Sequence, residues 1–164
     1  METNLPNAGE SRQMLRHALA TLAYRASRAL GGAPETFAGF VIGDHPKTPA
    51  LILAHMGDLT EWSLSAAKGK QVWRDSVPLP WAEEVRRFFR ALEAFDEYLA
   101  SVQPLGYPAE KLFQGPVADA LTHTGQIAML RRLAGCPMKG ENYFRAEIVA
   151  GRVGEAQAAP VKPF

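Results

Sequence analysis

Apolar residues recur every three or four positions in four stretches of this chain, the period of a helix with one face turned to a core. Leu15, Leu19, Leu22, Ala26 and Leu30 predict a first helix over residues 11–30, stopped by Gly31 and Gly32. Leu51, Ile52, His55, Leu59, Trp62 and Ala66 predict a second over 49–67. Its start is marked by Thr48 as N-cap and Pro49 at the first helical position. Val85, Phe88, Phe89, Leu92, Phe95, Leu99 and Val102 form the apolar face of a third, over 80–101, whose charged residues lie mostly on the other side. Pro116, Ala120, Ile127, Leu130 and Ala134 predict a fourth over 116–134, with Arg131 and Arg132 in its last turn and Gly135 as its stop.

The connectors are aperiodic and rich in Pro and Gly. The first, after residue 30, holds Pro34, Gly39, Gly43, Pro46 and Pro49; the second holds Trp73, Pro78 and Pro80. Gly115-Pro116 reads as a break that restarts the chain before the fourth helix. Strand signals are weak, confined to Phe40-Val41-Ile42 and Ile148-Val149. The pattern predicts an all-α protein: an up-down four-helix bundle with long connectors and a capping segment over 141–148. Residues 10–154 form the expected domain, with flexible tails at 1–9 and 155–164. Gly125 inside the fourth helix costs helix propensity and predicts close approach of another backbone.

Composition narrows the function classes. The chain has 164 residues, 47% hydrophobic and 21% charged, which fits one globular domain. A formal net charge of +1 gives no electrostatic case for nucleic acid or an anionic membrane. No apolar run reaches the roughly 20 residues of a membrane span. Residues 1–13 lack the apolar core of a signal peptide. Cys136 is the only cysteine, which rules out an internal disulfide and a Cys-based zinc knuckle. A cytoplasmic protein is expected.

The chemistry concentrates in the fourth helix. Asp119 and His123 are four residues apart and stack on one helical face, the one expected to look inward. Buried polar groups are costly unless paired or metal-bound. His55 is a second histidine on a core-facing helical position. If the two helices face each other, His55, Asp119 and His123 converge on one point. Two imidazoles and a carboxylate suit a divalent transition metal such as zinc, nickel or iron and leave an open coordination position. The competing readings are a buried hydrogen-bonded cluster, with Asp119 accepting from a histidine, and a metal held for structure alone. Spacing does not choose among them. His17 and His45 read as solvated. Asp58, one turn after His55, is a candidate to orient it or to form an inter-helix salt bridge. Gln126 is a candidate pocket residue. For Tyr143, Arg145 and Trp62 structural roles are expected, and Cys136 has no visible activating base.

Two segments resemble a known family. Leu53-Ala54-His55-Met56-Gly57-Asp58-Leu59 resembles the first metal motif of the DinB/YfiT-like superfamily. His123-Thr124-Gly125-Gln126-Ile127, followed by Leu130-Arg131-Arg132-Leu133-Ala134-Gly135, resembles the second. The resemblance extends from the first helix through the fourth. It implies a four-helix bundle with an interior metal, usually held by three histidines, and frequent homodimers. It also implies metal-dependent hydrolase or thiol-transferase chemistry on low-molecular-weight thiols such as bacillithiol, mycothiol or glutathione. The alternative is a non-enzymatic metal-stabilised binding or dimerisation module. Asp119 is a departure, since the family's middle ligand is commonly histidine. An anionic ligand lowers the charge of the centre, so a bound water is less acidified. The set of two histidines and a carboxylate is also that of non-haem iron oxygenases.

Overall fold

The computed structural model describes residues 8–44 and 47–164, so the predicted turn at His45 lies outside the described residues. Four long helices carry the fold: α1 (Ala8–Leu30), α2 (Pro49–Ala67), α3 (Trp81–Ala100) and α5 (Ala118–Leu133). The short α4 (Ala109–Leu112) leads through a π-turn, Phe113–Val117, directly into α5. Two 3₁₀ turns, Glu35–Gly39 and Tyr143–Arg145, complete the regular structure. No strand is found among the described residues, so the chain is all-α, and neither Phe40-Val41-Ile42 nor Ile148-Val149 forms one.

The helix boundaries follow from the residues that set them. Thr48 accepts a hydrogen bond from the Leu51 amide through its side chain, and Pro49 opens α2. Gly135 takes a positive φ of 74° after α5, a conformation that costs glycine little. The predicted break at Gly115-Pro116 is replaced by the π-turn. Proline lacks an amide hydrogen and its ring crowds the preceding turn, and the wider π geometry accommodates both without ending the helix.

The order of helix directions corrects the simple up-down expectation. Arg16 near the start of α1 pairs with Asp96 near the end of α3, so those two helices run antiparallel. Arg131 at the end of α5 donates to the carbonyls of Ala29 and Gly31 at the end of α1, so those run parallel. Arg87 reaches the Ala54 carbonyl and Asp58 from an equivalent depth in α3, and Gly106 beyond α3 abuts Gly69 beyond α2. Hence α2 and α3 are parallel, and the sequence of directions is up, down, down, up. Two parallel neighbours need a connector that returns along the bundle. Extended chain over 68–80 reaches about 40 Å, against about 28 Å for α2 itself. It does return: Val72 bonds Ser65, Trp73 packs on Trp62 and His55, and Ser76 bonds Asp58.

That crossover explains why α2 is buried over most of its circumference. Leu53, Met56, Asp58, Thr60 and Ser63 are all inaccessible, although several lie off its expected stripe. The centre of the core is Tyr24, Phe88, Phe95, Leu19, Leu53 and Ile127. The C-terminal segment is tied to α1 rather than loose. Glu141 is buried and accepts from the Tyr24 hydroxyl at 2.5 Å and from Arg28, and Arg28 also donates to the Ala158 carbonyl. Phe164 and Asn142 donate backbone hydrogen bonds to Gly140 and Lys162.

Candidate metal centre

The three residues singled out by spacing come together across the α2–α5 seam. His55 Nε2 lies 3.6 Å from Asp119 Oδ2, and His123 Nε2 lies 3.4 Å from Asp119 Oδ1. The imidazole centroids are 4.9 Å apart with planes at 89°. One ligating atom from each residue lies within 4.8 Å of the other two. Ligands held about 2.1 Å from a tetrahedral metal sit about 3.4 Å from one another. The donor set and spacing therefore fit a divalent transition metal.

Hydrogen bonding does not account for the cluster. Charge-assisted N–H to carboxylate bonds are about 2.7–2.9 Å long, and among the described residues no hydrogen bond joins His55, Asp119 or His123 to one another. His123 Nδ1 instead lies 2.8 Å from Gln126 Oε1. An amide oxygen only accepts, so this contact is made by the Nδ1–H tautomer, the one in which Nε2 is free to ligate. Gln126 is thereby placed to favour the tautomer a metal ligand needs. Its closeness to His123 was legible, because it follows His123 by three positions on the helix; the residues that line the groove beside Asp119 do not include it.

The centre is not in the bundle core, which corrects the expected depth. The side chains of His55 and Asp119 are 38% and 47% exposed, and that of His123 is 13% exposed. The buried stripe of α5 is Ala120, Thr124, Ile127 and Arg131, so the predicted stripe holds at Ala120 and Ile127, while Leu130 and Ala134 are only partly buried. Thr124 satisfies its hydroxyl on the Ala120 carbonyl. Arg131 spends its guanidinium on the carbonyls at the end of α1 and on Cys136. Both are polar residues that an apolar stripe passes over. Asp119 and His123 consequently flank the core, on the side facing α2.

Other expectations fall differently. Asp58 does not orient His55. It accepts from the Ser76 amide and hydroxyl and from Arg87, making it the inter-helix salt bridge. Tyr143 packs on Tyr24 and under Arg25, away from the histidines. Trp73, which sequence reasoning left without a role, lies edge-on to His55 with centroids 5.6 Å apart. It sits in an aperiodic connector, where no spacing signals a neighbour. Beside Asp119 an open groove of about 490 Å³ is lined by Leu59, Trp62, Gln114, Pro116 and Thr122. The π-turn forms one wall, a feature frequent at functional sites. No protein-family model, curated protein or solved structure matches this chain.

Proposed function

We propose that this chain is a metal-dependent enzyme of the DinB/YfiT-like kind, a hydrolase or a thiol transferase, with His55, Asp119 and His123 holding a divalent zinc, nickel or iron. The observation that carries the reading is the convergence of three ligating atoms whose hydrogen bonding is unsatisfied within the cluster, together with the Gln126 contact that frees His123 Nε2. The resemblance of the two motifs is the support for the family, and the all-α fold is consistent with it. When bound, the metal would supply Lewis-acid chemistry: polarising a carbonyl, stabilising a thiolate or acidifying water.

The residues around it supply the remainder. The half-exposed His55 and Asp119 leave an approach from solvent. The groove beside Asp119 is walled by Trp62, Leu59 and Pro116, surfaces that bind an apolar substrate body. Gln126 holds the His123 ring at its Nδ1. The homodimer implied by the resemblance belongs to the same proposal and is tested by sedimentation.

Metal analysis of tag-free protein tests the first part. The expected result is one divalent ion per chain, and a chain that neither retains a metal nor gains thermal stability from zinc, nickel or iron sinks it. A screen of low-molecular-weight thiols against electrophilic acceptors and of hydrolysable esters and amides tests the second. The expected turnover is lost in chelator and restored by metal. Metal bound without turnover on any of these would leave the non-enzymatic module as the correct reading.

A further inference from the structure

A second site lies on the opposite flank of α5, and it explains Gly125. Glycine inside a helix costs helix propensity relative to alanine, yet no neighbour requires it here. A Cβ built on Gly125 would meet no atom within 4 Å, so the predicted close backbone approach is absent. Gly125 instead opens onto a cavity of about 320 Å³ between α1, α5 and the C-terminal segment. Leu121, Ala128 and Met138 give this cavity apolar surface, and the rings of Tyr143 and Phe164 give it aromatic walls. Arg25, Arg132 and Lys139 line it as well.

Those three cations have no carboxylate partner among the described residues. The one carboxylate lining the cavity, Glu141, is already engaged by Tyr24 and Arg28. Arg25 is held with its guanidinium 4.2 Å from the centre of the Tyr143 ring, which reduces the entropy it would lose on gripping a ligand. The cavity thus gathers three exposed cations beside apolar and aromatic surface.

We propose that this cavity binds a small organic carboxylate with an apolar aromatic or aliphatic body. The cations take the carboxylate, and the space left by Gly125 takes part of the body. A bare inorganic anion would leave the apolar lining unused. The site is separate from the histidine cluster and does not depend on the metal reading.

Calorimetric titration with naphthalene-2-carboxylate, its neutral carboxamide and inorganic phosphate tests this on the full chain. The carboxylate is expected to bind saturably, with the amide at least about tenfold weaker, as loss of a charge-assisted hydrogen bond requires. Phosphate should give no saturable heat. Gly125→Leu, which fills the cavity from a helical position, is expected to abolish binding. The Arg25→Gln/Arg132→Gln pair should weaken it at least about tenfold, and it decides the matter if the leucine variant fails to fold. A chelator should leave the affinity unchanged. The proposal is overturned by absence of carboxylate binding, by equal affinity for the amide or phosphate, or by a folded leucine variant that binds normally. It is also overturned by an unaffected arginine-pair variant, or by binding lost in chelator, which would assign the carboxylate to the histidine cluster.

Discussion

Two polar clusters share helix α2, and they are built on opposite logic. At Asp58, every polar atom is spoken for. Arg87 donates to Asp58, Glu61, Glu84 and the Ala54 carbonyl, while Ser76 closes the set from the returning connector. At His55, three residues converge at ion-pair distances of 3.4 and 3.6 Å with no hydrogen bond between them. The side chains of Asp58 and Glu84 are 4% and 0% exposed, whereas those of His55 and Asp119 are open by more than a third. A satisfied buried cluster does structural work, since any lost partner strands a charge. A convergent one at the surface, with no hydrogen bond inside it, could hold a metal ion.

The sharpest way to break this contrast is Arg87→Ala. Burial pushes the Arg87 pKa down, but its hydrogen bonds to Glu84 and Asp58 outweigh that and hold it above the ordinary guanidinium value. Removing it leaves two buried carboxylates without their cation. The expected loss is about 3–5 kcal/mol in urea unfolding, the scale for breaking a buried ion pair. Gly57 shows how tightly the cluster is fitted: a Cβ there would fall 2.5 Å from the Arg87 guanidinium. A loss under about 1 kcal/mol, the range of surface pairs, would mean that the cluster is only decoration.

His123→Ala inverts the expectation. Stability without metal should change by less than about 1 kcal/mol, because no hydrogen bond to Asp119 or His55 is lost. Metal binding, followed by the thermal shift with zinc or nickel, should disappear. Unchanged affinity would show that His123 is not a ligand. Gln126→Leu is gentler. It leaves the three ligands in place but frees the His123 tautomer, so metal affinity should fall about 10–100-fold. The readout is competition against a chelator of known affinity.

How much of this was legible in sequence follows the same division. The helix starts and stops were readable where one residue sets them, as with Thr48, Pro49 and Gly135. The histidine cluster was readable because helical spacing is local and residue chemistry is specific. The crossover was not. Its hydrogen bonds, Ser76 to Asp58 and Val72 to Ser65, join an aperiodic segment to a helix that it does not adjoin in any repeating pattern. The depth of the site was missed for a related reason: Thr124 and Arg131 are buried polar residues that no apolar pattern marks, and they turn the core face away from Asp119 and His123.

The smallest expected effect tests whether a third cluster belongs with the satisfied kind. Tyr24 is buried, and burial, with its hydrogen bond to Glu141, raises its pKa above the ordinary 10.0. The group is neutral when protonated, so its contribution is fully present below the unfolded value. As pH climbs past 10.0, the unfolded chain releases this proton first, and the contribution is lost as pH rises through the higher folded value. Urea unfolding of the wild type and Tyr24→Phe at about pH 8 and about pH 11 isolates the effect. The stability advantage of the wild type should shrink at the higher pH. An advantage that is constant would mean that the hydroxyl contributes nothing pH-linked.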